Sequence, residues 1–155
     1  MQTIALIAQN NLTSTDSTGG AEPVRKNEGD IFMKCGKILS PMTGEAVGLG
    51  EVPDPVFSQK IIGDGMAVIP SEGKLLSPVD GEVISVADTK HAFGLRTAEG
   101  LELLIHVGLE TVHLKGECFQ VFVKPGDKVK AGDLLAEVDL AYLKEREINP
   151  ITPVL

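Results

Sequence analysis

The stretch Gly73-Lys74-Leu75-Leu76-Ser77-Pro78-Val79-Asp80-Gly81-Glu82-Val83-Ile84-Ser85-Val86 restates the earlier stretch GKILSPMTGEAVGL, residues 36–49, at an offset of 37 with half of the positions identical. Each copy reads as a strand, a Ser-Pro corner, a turn built on Thr-Gly or Asp-Gly, and a second strand. Two copies of one hairpin unit predict a pseudo-symmetric sandwich or barrel, because a solenoid needs at least three repeats. The fold class expected is all-β: an antiparallel β-sandwich or barrel on a duplicated motif, with one short helix near the C-terminus.

The segments around the repeat agree with this. Between the copies, residues 51–57 (EVPDPVF) read as a proline-stiffened loop, and residues 60–69 as a strand interrupted by the Gly63-Asp64-Gly65 bend. After them, residues 119–123 alternate as a strand, and residues 124–138 form two Gly-Asp turns around a short strand. Residues 140–147 are the one helical candidate, ended by Asn149-Pro150, and Thr152-Pro153-Val154-Leu155 begins another extended piece. Before the first copy, a short apolar piece at residues 3–8 gives way to the polar tract at residues 10–20. Such a tract buries too little apolar area to offset its ordering entropy, so residues 1–33 read as a flexible leader or linker. Residues 34–155 are then the domain, with Met33-Lys34-Cys35 opening its folded part.

Composition narrows the function. With 155 residues and 43% hydrophobic content the chain can bury one core, and with no tryptophan and 4% aromatics that core is aliphatic. A net charge of −8 argues against nucleic acid and favours a basic partner surface. Two cysteines, Cys35 and Cys118, fit a reducing cytoplasm. No apolar run reaches the length of a membrane span, and no signal peptide is evident, so the expected location is cytoplasmic, without membrane insertion.

Against that aliphatic background, residues 103–112 (LLIHVGLETV) set an imidazole inside an apolar run that stops at a glycine. Strand alternation puts Leu103, Ile105 and Val107 on one face, and Glu102, Leu104 and His106 on the other. If Thr97-Ala98-Glu99-Gly100 closes a hairpin as a four-residue loop, or as a two-residue turn on Ala98-Glu99, then Arg96 faces Leu101, Phe93 faces Leu104 and His91 faces His106. A three-residue loop shifts every pair by one and breaks that match.

Two facing imidazoles repel when both are protonated, so at neutral pH at least one stays neutral, able to act as a nucleophile or a metal ligand. A neutral imidazole on a shallow apolar surface can accept a phosphoryl group, and a second can hydrogen-bond the transferred oxygens. The residues alone do not say which imidazole does which. The backbone N–H groups of Gly108 and Leu109 are expected to form a small anion nest. Thr89, two residues before His91, either orients that ring or is an inert strand-edge residue. His113 reads as structural or solvated. Asp54 and Glu110 are candidate rim charges for a basic partner. Val56, Phe57, Ile61 and Ile62 fit either core or a docking patch, and exposure of Phe57 or Ile62 beside the histidines decides for the patch.

The segments EVPDPVFSQKIIGDG, SPVDGEV, DTKHAFGLRT and LLIHVGLETV, in this order and spacing, resemble the glucose-type enzyme IIA family of the bacterial phosphoenolpyruvate-dependent sugar phosphotransferase system, from about Gly36 to Val154. The resemblance implies that His106 accepts a phosphoryl group from the phosphohistidine of the carrier HPr and passes it to a cysteine of a sugar-specific IIB domain. It implies that His91 is the second active-site histidine and Thr89 its hydrogen-bonding neighbour. It places Val56, Phe57, Ile61, Ile62, Leu104 and Val112 on the partner-docking face. It implies no cofactor beyond a transient phosphohistidine, with zinc at His91 and His106 only when a regulatory partner adds a carboxylate.

Three departures stand out. The family continues for one or two strands beyond the Thr-Pro-Val segment, a glycine usual in the family is Cys118 here, and the leader resembles a linker from a fused permease. Two rival readings are a biotinyl- or lipoyl-type carrier domain, suggested by KPGDKVKAGDLLAEVD, and a zinc hydrolase on a related duplicated β fold that would use the three histidines as ligands.

Overall fold

The computed structural model describes residues 38–155. The leader at 1–33, the Met33-Lys34-Cys35 start and the first two residues of the repeat lie outside the described residues. Ten strands account for most of the regular structure: β1 (Gly44–Gly48), β2 (Met66–Pro70), β3 (Lys74–Leu76), β4 (Gly81–Val86), β5 (Ala92–Arg96), β6 (Glu102–His106), β7 (Phe119–Val121), β8 (Lys128–Val129), β9 (Leu134–Val138) and β10 (Thr152–Val154). Among the described residues these strands are joined by two short helices, α1 (Pro55–Ser58) and α2 (Leu140–Glu145), and two 3-10 turns, Leu49–Glu51 and Thr111–Leu114.

The strands form two antiparallel sheets. The larger has the order β1-β2-β10-β6-β5-β4-β8 and the smaller β3-β9-β7. The duplication is visible in this order, since β1 and β4, the strands of the two repeat copies, each lie two places out from the central β10–β6 pair. It is also visible atom by atom. Ser40 Oγ donates to Met42 O at 2.6 Å, and its counterpart Ser77 Oγ donates to Val79 O at 2.7 Å. The two corners then exchange backbone bonds, Leu39 N–H to Pro78 O and Leu76 N–H to Pro41 O. Identical Ser-Pro chemistry thus makes both corners and joins them to each other.

The main core lies between the sheets. Val83, Phe93, Leu95 and Ile105 of the larger sheet pack with Leu75, Leu135 and Phe119 of the smaller. The larger sheet carries a second apolar cluster of Val47, Leu49, Val52, Phe57, Ala67 and Ile151. Val68 belongs to the first cluster and Ala67 to the second, so alternation along β2 gives that sheet a buried face on each side.

Several expectations need correction. The 51–57 segment is not only loop: Asp54 Oδ1 accepts from the Val56 N–H, Pro55 takes the first helical position, and α1 follows. The expected interrupted strand at 60–69 forms only at its end, as β2, because the chain turns through a left-handed Lys60 (φ 56°) before the Gly-Asp-Gly bend. The β5–β6 hairpin uses the three-residue loop, with Thr97 and Leu101 paired and Gly100 at φ 93°. A glycine in that left-handed position is what lets a type I turn close a right-twisted hairpin. Arg96 therefore faces Glu102, to which it also forms an ion pair at 2.7 Å, while Gly94 faces Leu104 and Ala92 faces His106.

Other expectations hold. The 124–138 segment contains two like turns, each with an aspartate carboxylate accepting the N–H of the lysine three residues before it: Asp127 from Lys124 and Asp133 from Lys130. Residues 152–154 form β10, which sits inside the larger sheet between β2 and β6 and not at an edge.

The paired corners make a testable statement about stability. Ser40→Ala and Ser77→Ala each remove a buried hydroxyl and strand a buried carbonyl, so each lowers the unfolding free energy by about 1–3 kcal/mol. Urea denaturation should give similar losses for the two; a loss at one corner and none at the other would break their equivalence.

Candidate active site

Alternation along β6 sends Leu103 and Ile105 into the main core and leaves Leu104 and His106 half-buried on the opposite face. Phe57 reaches the same face from α1, whose Asp54 cap sets where that helix starts. Its ring centroid lies 5.0 Å from that of His106, tilted by 57°. Phe57 is itself 4% exposed, so it is a wall of the site and not an open docking residue.

His91 arrives by a route that the expected register did not contain. It lies just outside β5, after a left-handed Lys90 (φ 63°), and its carbonyl accepts the Val107 N–H at 2.7 Å. Its backbone thus faces Val107 and not His106, yet the chain bend brings the rings together edge to face, 4.8 Å apart at 80°. The facing pair expected from sequence is present as a ring contact, made by the chain bend and not by the expected strand register.

Two hydrogen bonds orient the rings. His106 Nδ1 lies 2.8 Å from Gly108 O. A carbonyl can only accept, so Nδ1 carries the proton and, in the neutral ring, Nε2 carries the free lone pair. His91 Nδ1 lies 2.6 Å from Thr89 Oγ1, a hydroxyl able to donate or accept, so this contact orients the ring without choosing its tautomer.

Gly108 is held at φ 74°. A Cβ on it would lie 2.6 Å from Thr111 Cγ2, so the position excludes any side chain. Around it, Thr111 Oγ1 donates to Val107 O at 2.5 Å, and the Leu109 N–H donates to Asn149 O at 3.0 Å. That last bond corrects the expected anion nest, since the Leu109 N–H is already engaged.

Burial holds both imidazoles below the ordinary histidine value. For His106 the Gly108 carbonyl and the Asp54 carboxylate oppose the effect in part; for His91 the charge of His106 adds to it.

Of the other expected residues, Val56, Ile61, Ile62 and Val112 are exposed, Ile61 to 66%. Ile62 is thus exposed whereas Phe57 is buried. The Ile61 N–H donates to Val56 O, which ties the isoleucine loop to α1. Glu110 is exposed and left-handed (φ 57°) at the start of the Thr111–Leu114 turn, and Asp54 is half-buried. His113 is exposed, and no group of three or more His, Cys, Asp or Glu side chains able to hold a metal forms among the described residues. The hydrolase reading therefore lacks its ligand set there.

Sequence reasoning missed Asn149 and Thr111. Asn149 was read as a helix terminator, but its Oδ1 also accepts the Ile151 N–H, and its carbonyl holds the His106 loop. The Asn-Pro pair signals such a side-chain turn. Thr111 lies beyond β6, which ends at His106, at the start of the Thr111–Leu114 turn.

The fold is a duplicated β-sandwich that sets a tautomer-fixed imidazole against a second one. The family model for the phosphoenolpyruvate-dependent sugar phosphotransferase system, EIIA 1, matches residues 36–155. The chain belongs to this family and is a phosphoryl-carrying component of a sugar phosphotransferase system.

It is 53% identical over 134 residues to the PTS system glucosamine-specific EIICBA component of Bacillus subtilis, covering 86% of this chain and 20% of that protein. It is 50% identical over 118 residues to the PTS system glucose-specific EIIA component of Halalkalibacterium halodurans, covering 76% of this chain and 68% of that one. The chain thus spans about a fifth of the length of the multidomain relative. The solved structure of glucose permease IIA from Mycoplasma capricolum superimposes with a TM-score of 0.71 at 39% identity, covering 76% of this chain and 77% of that chain. These matches displace the biotinyl- or lipoyl-type carrier and the hydrolase.

The depressed imidazoles give a pH prediction. Both groups bind protons less readily folded than unfolded, so protonation favours the unfolded chain. Their contribution to stability is full above the ordinary histidine value of about 6.5 and is lost as pH falls through the folded values. NMR titration should place both imidazoles below that value. In His106→Ala, His91 should titrate higher; an unchanged His91 would mean that the rings do not interact.

Proposed function

We propose that His106 is the phosphoacceptor, that phospho-HPr is the donor and that a cysteine on the IIB domain of a sugar permease is the acceptor. The observation that carries this reading is the His106 Nδ1–H bond to Gly108 O, which leaves Nε2 bare beside His91. In the forward step the Nε2 lone pair attacks phosphorus, the P–N bond of the donor breaks and a P–Nε2 bond forms. The imidazole leaving the donor keeps the released electron pair. The ring of His106 gains positive charge, which the Gly108 carbonyl and the Asp54 carboxylate stabilise. Burial favours the neutral nucleophile before the step, and these two groups favour the charged product after it.

His91 takes the supporting role. In the tautomer whose Nδ1 accepts from the Thr89 hydroxyl, its Nε2–H is available to the phosphoryl oxygens. Gly108 and Leu109 border the site, Gly108 supplying the orienting carbonyl. Val56, Ile61, Ile62 and Val112 form the apolar docking rim, with Leu104 and Phe57 beneath it and Asp54 and Glu110 as its charges toward a basic partner.

Two relatives at 53% and 50% identity are named for different sugars, which supports a carrier that leaves the choice of sugar to the permease. The cytoplasm is the compartment in which the free, buried Cys118 thiol stays reduced. Zinc at His91 and His106 would need a regulatory partner's carboxylate, because two imidazoles alone do not make a metal site.

Incubation with phosphoenolpyruvate, enzyme I and HPr tests the assignment. Wild type takes up one phosphoryl group and His106→Ala takes up none, while His91→Ala accepts it but passes it on slowly. Labelling of His106→Ala would overturn the assignment, and complete loss of acceptance in His91→Ala would reverse the two roles.

A further inference from the structure

We infer that Thr111 is a positioning residue for both imidazoles, acting through the peptide groups on either side of Val107. It is fully buried, with its hydroxyl on Val107 O at 2.5 Å. Val107 follows His106 directly, and its N–H donates to the carbonyl of His91 at 2.7 Å. One residue thus receives the Thr111 hydroxyl on its carbonyl and holds the backbone of the second histidine with its N–H.

The methyl group of Thr111 works on the other side of the loop. It occupies the space where a Gly108 Cβ would project, 2.6 Å away, and so backs the left-handed turn that aims Gly108 O at His106 Nδ1. The hydroxyl closes the turn and the methyl packs under it. Threonine is the residue type that carries both. Valine keeps the shape and strands a buried carbonyl, whereas serine keeps the hydrogen bond and loses the methyl.

The consequence is chemical. When the Gly108 carbonyl drifts from Nδ1, His106 loses the partner that keeps its proton there. An imidazole freed in this way prefers the proton on Nε2, where it blocks the lone pair. Thr111 therefore acts on which nitrogen is available and not on partner binding.

The kinetic part of this inference rests on the phosphoacceptor reading above, whereas the tautomer part does not. Long-range 1H–15N imidazole spectra at about pH 8, above the ordinary histidine value, report the proton on each nitrogen directly. In wild type His106 is protonated on Nδ1. In Thr111→Val the proton shifts toward Nε2, and the rate of phosphoryl uptake from phospho-HPr falls about tenfold at unchanged KM, the equivalent of one lost neutral hydrogen bond. Thr111→Ser restores the tautomer and most of the rate. Thr111→Ala, which also removes the hydroxyl, replaces the valine variant should that one not fold. A hydroxyl-less variant that folds and keeps the wild-type His106 tautomer overturns the inference, as does a serine variant that behaves like valine. Should wild type take up no phosphoryl group, the phosphoacceptor reading fails and the spectra still judge Thr111.

Discussion

The hydrogen bond from His106 Nδ1–H to Gly108 O constrains much of the surrounding structure. For a carbonyl two residues ahead to turn back onto the ring, the chain must leave β6 at His106 and pass through a left-handed residue. Only glycine fits there, because a Cβ would strike Thr111. The loop so formed is then tied down by tertiary contacts, from Leu109 N–H to Asn149 O and from Thr111 Oγ1 to Val107 O. The segment after α2 thereby reaches a site more than forty residues earlier in the chain, and β10, which follows it, pairs with β6 itself.

The sandwich supplies the setting. A seven-stranded sheet with apolar clusters on both faces can bury Ile105 in the core while its neighbour His106 lies on the far side, half-covered by Phe57. Burial is what holds the imidazoles below the ordinary histidine value. Full burial would shut out a partner, and full exposure would leave them at the ordinary histidine value. Val56, Ile61, Ile62 and Val112, the residues proposed to dock a partner, are exposed.

What could be read from sequence was what depends on short-range periodicity. The repeated Ser-Pro corners, the two-faced pattern of β6 and the Lys-to-Asp turns at 124–133 all follow from local rules, and the structure contains each of them. The β5–β6 register was missed because it turned on one residue of loop length. The left-handed Gly100 settles that length, and a glycine at a loop end is compatible with either count. The two histidines still meet, because Lys90 bends the chain out of strand geometry before His91, which no alternation rule captures. Asp54 was read only as a rim charge, although its capping of α1 is what seats Phe57. The engagement of the Leu109 N–H by Asn149 joins parts of the chain that are far apart in sequence, so no local pattern announced it.

On the proposed function, the fold prepares one particular nitrogen, Nε2 of His106. The most direct measurement is 15N and 31P NMR of the phosphorylated protein, locating the P–N bond. The expected result is phosphorus on Nε2 of His106 with the proton retained on Nδ1 and His91 unmodified. Phosphorus on Nδ1 of His106, or on either nitrogen of His91, would contradict it.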